Sequence, residues 1–170
     1  MGGQRHAKPS NRGRSRQSRT LRFSTRDRHE TQERFVMCSL ADVLLVEDEV
    51  DDAELLTRAL LALRPGTRVA VAADGVEALQ RLFDQDTEVA LRPQLIVLDL
   101  RLPRLDGFQV LRCITADART AQIPVVVLSG TCSPEDVGAS RSYGAKACMR
   151  KPHSGGDMQR LAEVLTSVLH

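Results

Sequence analysis

Aromatic residues are scarce in this chain of 170 residues, which contains no Trp, one Tyr and four Phe. A core with so few large rings has to be aliphatic, so we expect Val, Leu and Ile strands packed under helices rich in Leu and Ala. In the N-terminal region Phe23 and Phe35 are too sparse to form a platform on which nucleic-acid bases could stack.

Paired cysteines and long apolar runs are also missing. Cys38, Cys113, Cys132 and Cys148 form no CxxC motif, and no His stands near them at the spacing of metal ligands. We therefore expect reduced thiols. The N-terminus lacks the apolar segment of a secretory signal, and no run approaches the length of a membrane span, so we expect a cytoplasmic protein that does not associate with membranes.

Charge divides the chain into two unequal parts. Residues 1–38 hold ten Lys or Arg against three Asp or Glu, a net charge of +7, whereas residues 39–170 carry −5. Because the first part has no sustained apolar periodicity, we expect residues 1–38 to be a disordered basic arm and residues 39–170 to be one domain. Charge alone supports weak, salt-sensitive contact with nucleic acid, so specific nucleic-acid binding is not expected.

Strand and helix patterns alternate five times within residues 39–170. Apolar runs predict strands at Asp42–Val46, Thr67–Ala72, Leu95–Leu98, Pro124–Leu128 and Ala145–Arg150. Apolar residues at helical spacing predict helices at about Asp51–Leu63, after Asp74-Gly75, near Phe108–Thr115, from Ser133-Pro134 to Tyr143-Gly144, and from about Gly156. This alternation indicates an α/β fold, a doubly wound five-stranded parallel sheet with helices on both faces.

Polar residues follow four of the five predicted strands. Glu47 and Asp48 follow the first, Asp99 the third, Ser129 the fourth and Lys151 the fifth. The carboxyl ends of parallel strands share one edge of the sheet, which is where open α/β sheets bind ligands. Three carboxylates at one edge repel one another and require a cation at neutral pH, and oxygen ligands of this kind favour Mg²⁺ over Zn²⁺.

The same set is suited to phosphoryl transfer onto a carboxylate. A divalent ion and the Lys151 ammonium would neutralise an incoming phosphoryl group, and the Ser129 hydroxyl would hydrogen-bond one of its oxygens. Asp99 lies in the middle of the group and is the natural acceptor. A flavodoxin-like cofactor enzyme is disfavoured, because Glu47-Asp48-Glu49 replaces the Gly-rich phosphate loop after the first strand.

Four segments carry a resemblance to a known family. LLVEDE at Leu44–Glu49, LIVLDLRLPRLDGFQVL at Leu95–Leu111, PVVVLSG at Pro124–Gly130 and GAKACMRKP at Gly144–Pro152 resemble the signature segments of the response-regulator receiver domain of two-component signalling. The resemblance covers residues 41–170 and implies a flavodoxin-like (βα)5 fold. No output domain follows the last helix, so the chain resembles a stand-alone receiver, and its first helix is similar to those of receivers that partner phytochrome-type histidine kinases.

The resemblance also implies a role for each acidic residue. Asp99 would accept a phosphoryl group from the phosphohistidine of a sensor histidine kinase. Mg²⁺ would be bound by Asp99, by Asp48 directly, by Glu47 through water and by the backbone carbonyl of Arg101. The protein would then be a phosphoacceptor that catalyses only its own phosphorylation and dephosphorylation, and not an enzyme acting on other substrates.

The remaining implied roles concern switching and assembly. Ser129 would contact the phosphoryl oxygens and shift on activation, Lys151 would pair with the phosphoryl group, and the Lys151–Pro152 bond would be cis. Receivers commonly form homodimers through the fourth strand–helix unit and the fifth helix. The chain departs from the family at Cys148, where an aromatic switch residue is usual, and this departure leaves open an alternative function as a phosphorylation-independent adaptor.

Overall fold

The computed structural model describes residues 41–84, 90–152 and 154–169, so the predicted basic arm lies outside the described residues. Strands and helices alternate along the chain as the sequence predicted. The strands are β1 Val43–Val46, β2 Val69–Ala72, β3 Leu95–Asp99, β4 Val125–Ser129 and β5 Ala147–Arg150. The helices are α1 Val50–Leu63, α2 Gly75–Phe83, α3 Gly107–Ala116, α4 Pro134–Ser142 and α5 Gly155–Thr166.

The five strands form one parallel sheet in the order β2-β1-β3-β4-β5. This is the flavodoxin-like order, and the direction of chain progression reverses between β1 and β3. Asp99 at the end of β3 is in register with Leu128, one residue before the end of β4. The predicted fold is therefore confirmed, and its strand order places the end of β3 beside the switch point where such sheets bind ligands.

Two apolar clusters cover the two faces of the sheet. One joins the strands to α1 and α5 through side chains such as Leu56, Leu60 and Leu161. The other joins them to α2 and α3, and α4 packs beside α3 on the same side. Every residue of β1, β3 and β4 is buried, and the largest fully buried side chains are all Leu or Ile. The expected aliphatic core is confirmed.

Side-chain caps begin the helices that follow β3 and β4. Asp106 accepts a hydrogen bond from the backbone N–H of Phe108 and forms a capping box with Gln109. Ser133 accepts from the N–H of Asp136 while the Asp136 side chain accepts from the N–H of Ser133. These reciprocal bonds satisfy backbone donors that no helical carbonyl can reach.

Two predicted strands begin two residues later than expected, and β1 and β4 each begin one residue later. β2 begins at Val69 rather than Thr67, because the Thr67 N–H and hydroxyl both bond the carbonyl of Arg64 in the preceding turn. β5 begins at Ala147 rather than Ala145, whose N–H bonds the carbonyl of Ser140 instead of the neighbouring strand. At both places the backbone N–H groups that would pair with a neighbouring strand are bonded within the preceding turn. Among the described residues, no helix has both the length and the apolarity needed to cross a bilayer.

Candidate functional site

The carboxyl edge of the sheet brings together the acidic residues that the sequence singled out. Glu47 follows β1, Asp48 comes next, and Asp99 ends β3, which is the strand beside β1. A carboxylate oxygen of each lies within 4.8 Å of one from each of the others. We call these three residues the acidic cluster. Glu47 and Asp99 are each 3% exposed, whereas Asp48 is open to solvent.

Lys151 lies against the acidic cluster as a bridging cation. Its Nζ is 2.8 Å from Glu47 Oε1, 2.8 Å from Asp99 Oδ2 and 3.0 Å from Asp52 Oδ2. Burial alone would favour the neutral amine, but hydrogen bonds to Asp99, Glu47 and Asp52 outweigh it and raise the pKa of Lys151. Lys151 is therefore an ammonium at neutral pH.

Asp52 is a member of the site that sequence reasoning did not assign. It lies in the first turn of α1, where a carboxylate is ordinarily explained by the helix dipole. Its separation from Lys151 by almost a hundred positions left no local signal of contact. The spacing between Glu47 and Asp52 places both carboxylates beside the start of α1. That spacing is the sequence feature that could have assigned Asp52 to the site.

The environment of Glu47 differs from that of an ordinary surface carboxylate. Burial raises the pKa of Glu47, opposed by hydrogen bonds from the Lys151 ammonium and from the N–H of Glu49. Neighbouring Asp99 pushes the pKa of Glu47 in the same direction as burial. This mutual repulsion is the physical basis for expecting a cation at the cluster.

The loop after β3 holds the Asp99 carboxylate in place. The N–H of Arg101 donates to Asp99 Oδ1 at 2.9 Å, while the Arg101 side chain is exposed. The loop closes back on the strand at Gly107, whose N–H donates to the carbonyl of Leu100. A Cβ on Gly107 would lie 2.5 Å from the backbone oxygen of Asp99 and 2.6 Å from Leu100 Cα. The structure thus brings Arg101 to Asp99 through its amide, and the predicted use of its carbonyl as a metal ligand stays a prediction.

Ser129 is at the predicted edge, but its hydroxyl is engaged away from Asp99. It donates to Asp136 Oδ2 at 2.7 Å and accepts from the N–H of Cys132 at 3.0 Å. The same Asp136 oxygen accepts from the Thr131 hydroxyl at 2.7 Å. The sequence revealed Asp136 as a first-turn residue of a helix, but it did not reveal its bond to Ser129.

Two further sequence expectations concern β5 and the residues beside it. Cys148 is half-buried and packs against the core cluster on the α2 and α3 side, with Cys132 Sγ 4.0 Å from its carbonyl oxygen. The Lys151–Pro152 bond is trans, since no described peptide bond is cis, so the expectation of a cis bond was wrong. Trans is the preferred isomer of an X-Pro bond by about 0.5–1 kcal/mol.

A divalent cation fits the donor set. The carboxylate oxygens of the acidic cluster lie within 4.8 Å of one another, so one ion could be held among them. The three carboxylates of the acidic cluster offer only oxygen, which suits Mg²⁺ or Mn²⁺. Asp48 is exposed and gives an ion a route to the two buried members. Glu47, Asp48 and Asp99 would therefore hold it.

A parallel sheet of this order, with an acidic cluster and a bridging Lys at its carboxyl edge, defines a receiver-type α/β domain. The comparison with protein families agrees. The chain belongs to the response regulator receiver domain family, whose model matches residues 43–164. It is therefore a receiver of two-component signalling.

Individual relatives support this assignment. The chain is 36% identical over 121 residues to the probable methanogenesis regulatory protein FilR2 of Methanothrix harundinacea, covering 71% of this chain and 78% of that protein. It is 32% identical over 126 residues to response regulator Rcp1 of Synechocystis sp., covering 74% and 86%. A crystal structure of Mn²⁺-bound Rcp1 superposes with a TM-score of 0.67 at 32% identity, covering 74% of this chain and 91% of that one. The phosphorylated cyanobacterial phytochrome response regulator RcpA gives 0.69 at 31% identity, covering 75% and 91%.

Proposed function

We propose that this receiver takes a phosphoryl group onto Asp99 from the phosphohistidine of a sensor histidine kinase, in a reaction that depends on Mg²⁺. The observation that supports this most directly is the contact of one cation, Lys151, with two members of the acidic cluster, Glu47 and Asp99. A second cation at the same cluster would give Asp99 positive charge on two sides. That is the requirement for bringing an anionic phosphoryl group to a carboxylate.

The reaction exchanges one bond to phosphorus for another. An Asp99 carboxylate oxygen forms a P–O bond in line with the P–N bond to the kinase histidine, which breaks, and the imidazole that leaves takes up a proton. Lys151, already bonded to Asp99 Oδ2, neutralises charge on the transferred group. A divalent cation, when bound, supplies the rest of that neutralisation. The Arg101 amide keeps the other Asp99 oxygen oriented.

Switching would follow from a new anion at the end of β3. Ser129 ends the adjacent strand, and its hydroxyl is the donor that could reach a phosphoryl oxygen once the group is attached. A change at Ser129 alters the loop between β4 and α4, and with it the surface that partners contact. Phosphorylation would then control partner binding by biasing two arrangements of this loop.

We infer that the kinase is of the phytochrome type. The support is that one solved relative is described as a cyanobacterial phytochrome response regulator and that the chain covers 91% of it at 31% identity. The test compares the rates of phosphoryl transfer from a phytochrome-type kinase and, as a control, from a kinase of another sensor class. Transfer from both kinases at equal rates would contradict this inference.

Labelling with a small phosphodonor tests the phosphoacceptor itself. The full chain incubated with labelled acetyl phosphate and Mg²⁺ should gain one acid-stable, alkali-labile phosphoryl group, and a chelator present from the start should prevent the labelling. Asp99→Asn should abolish the label. Asp51→Asn, which removes an exposed carboxylate from the first turn of α1, should leave it unchanged. Label that survives Asp99→Asn would overturn the proposal.

The affinity for a partner distinguishes phosphorylation-controlled binding from the alternative, an adaptor that works without phosphorylation. Cys148 occupies the β5 position where an aromatic switch residue is usual, which is the observation that favours this alternative. Binding of the captured partner is measured with and without beryllofluoride, a phosphoryl mimic. A rise in affinity supports phosphorylation-controlled binding, whereas equal affinity supports the adaptor.

A further inference from the structure

The Ser129 hydroxyl is bonded on the side of the sheet opposite to Asp99. Successive strand residues point to opposite faces, so Ser129, one position beyond the residue in register with Asp99, faces the α2, α3 and α4 side. There its proton is donated to Asp136 Oδ2 at 2.7 Å. Asp136 lies in the first turn of α4, and its carboxylate also accepts from Thr131 and from the N–H of Ser133.

We propose that Asp136 is a positioning residue that holds the Ser129 hydroxyl away from the phosphoacceptor, and that breaking the Ser129–Asp136 hydrogen bond is an obligatory step of switching. This inference rests on the proposed function, because the competing acceptor is a phosphoryl group on Asp99. It adds a residue from α4 to the set that controls the site.

The Ser129 hydroxyl has too few protons to serve both acceptors. A Ser hydroxyl has one O–H to donate, so Ser129 can donate to Asp136 or to a phosphoryl oxygen, but not to both. The lone pairs of the hydroxyl only accept hydrogen bonds, as one does from the Cys132 N–H, so they do not change this count. The hydrogen bond from Ser129 to Asp136 and a hydrogen bond from Ser129 to a phosphoryl oxygen therefore exclude each other.

Asp136 is a strong competitor for that donor. Hydrogen bonds from Ser129 and Thr131 lower the pKa of Asp136, which keeps it a carboxylate at neutral pH. Hydrogen bonds to a charged acceptor are shorter and about twice as strong as neutral ones. Loss of the Ser129 bond would leave Asp136 with Thr131 and its capping bond to Ser133, so α4 keeps its first turn but loses its tie to β4. The position of α4 is thereby linked to the state of Asp99.

Thermodynamic linkage determines whether weakening the Ser129–Asp136 bond raises or lowers ligand affinity. If the bond opposes the active arrangement, weakening it must raise affinity for a ligand that binds that arrangement. Asp136→Asn keeps a hydrogen-bond acceptor in place but removes its charge. The Mg²⁺-beryllofluoride complex of the full chain, followed by ¹⁹F NMR, should form about fivefold more tightly in Asp136→Asn than in the wild type. Glu135→Gln removes the same charge from an exposed neighbour on the same turn and should change affinity less than twofold.

A double-mutant cycle separates positioning from helix capping. In a Ser129→Ala background the competing hydroxyl is absent, so Asp136→Asn should no longer raise beryllofluoride affinity. Ser133→Ala removes the hydroxyl that caps the Asp136 N–H and should loosen α4 without a gain in affinity. An effect of Asp136→Asn that persists without Ser129, or that Ser133→Ala reproduces, would overturn the inference. Failure of the wild type itself to bind beryllofluoride would instead overturn the proposed function, and this inference with it.

Discussion

At the scale of single residues, Lys151 supplies the positive charge that balances the acidic cluster. It is the cation that bonds three carboxylates of the described edge at once, two of them nearly inaccessible to solvent. Removing one member of such a set leaves the others desolvated and unpaired, which costs more than the net value of the bonds. The acidic cluster is therefore expected to respond to loss of Lys151 by binding a metal ion more strongly.

Lys151→Ala should lower the free energy of unfolding in chelator by about 1–3 kcal/mol, because it leaves buried carboxylates unpaired. Mg²⁺ at 10 mM should then raise the unfolding midpoint more in this variant than in the wild type, since the ion replaces the missing charge. Thermal unfolding followed by circular dichroism measures both. The matched control is Lys146→Ala, an exposed lysine before β5, and an identical Mg²⁺ response in the two variants would contradict the prediction.

Asp117, at the end of α3, provides a pH dependence with a defined sign. The Arg119 guanidinium and then the Arg119 N–H hold the pKa of Asp117 at about 2, below its ordinary value of 3.8. Because the folded-state pKa is the lower one, the stabilising contribution is complete above pH 4 and is lost as the pH falls from about 4 to about 2. A ¹³C NMR titration should place Asp117 near 2 and Arg119→Ala should return it toward 3.8. An unshifted value in the wild type would refute the assignment.

The residue types at the site were predictable, but their partners were not. Glu47, Asp48 and Asp99 were found because strand ends in a parallel sheet share an edge, which is a rule about backbone topology. Asp52 and Asp136 were not assigned because each has an ordinary reason to stand in the first turn of a helix. Which carboxylate faces Lys151 or Ser129 depends on how α1 and α4 pack on the sheet, and no local pattern encodes that packing.

At the scale of elements, the start of α3 is built around one close backbone approach. Gly107 is the first residue of the helix, and its N–H closes the loop onto Leu100. The space where a Cβ would lie is occupied by the backbone of Asp99 and Leu100 rather than by a flexible side chain. The end of β3 and the start of α3 therefore have little room to separate or slide.

Gly107→Ala should destabilise the fold by about 1–3 kcal/mol, as overpacking against backbone does. It should also slow labelling of Asp99 by acetyl phosphate, because relief of the clash moves the strand end that carries the carboxylate. Gly138→Ala, inside α4 with nothing within 4 Å of the added methyl, should stabilise the protein by about 0.5–1 kcal/mol without affecting labelling. Denaturant unfolding and labelling rates measure both effects, and equal stability of the two variants would contradict the prediction.

The elements themselves were the easiest part of the fold to predict. Ser133 and Pro134 begin α4 as their cap and first-turn preferences require, and Val50–Leu63 lies within one residue of the predicted first helix. The strand starts after Gly66 and Gly144 were misplaced by two residues, because both glycines adopt positive φ and lengthen the preceding turn. The isomer of Lys151–Pro152 depends on packing around the loop, which apolar periodicity does not report.

At the scale of the whole molecule, the charge asymmetry and the family match point to a separable domain. The family match begins at residue 43. The basic arm of residues 1–38 is a prediction from sequence, and it carries a net charge opposite to that of the domain. Its loss should therefore change ionic behaviour and leave the fold intact.

Deletion of residues 1–38 should shift the thermal midpoint by less than about 2 °C, which corresponds to under about 1 kcal/mol for a domain of this size. Labelling of Asp99 should persist, and retention on a polyanionic resin should fall because seven net positive charges are removed. Differential scanning calorimetry and salt elution measure these outcomes. Removal of residues 1–19 alone serves as a graded control, and a larger drop in the midpoint would show that the arm belongs to the domain.

Asp99 ends a strand that is hydrogen-bonded to a neighbour on each side, and its backbone oxygen abuts the start of a helix. The proposed phosphoacceptor therefore lies on a support that its backbone neighbours hold in place. A stiff support cannot absorb an added anion by yielding, so the displacement has to appear where the molecule is more compliant, in the loops flanking it. A rigid strand end at Asp99 would thus convert the attachment of a phosphoryl group into movement of the flanking loops.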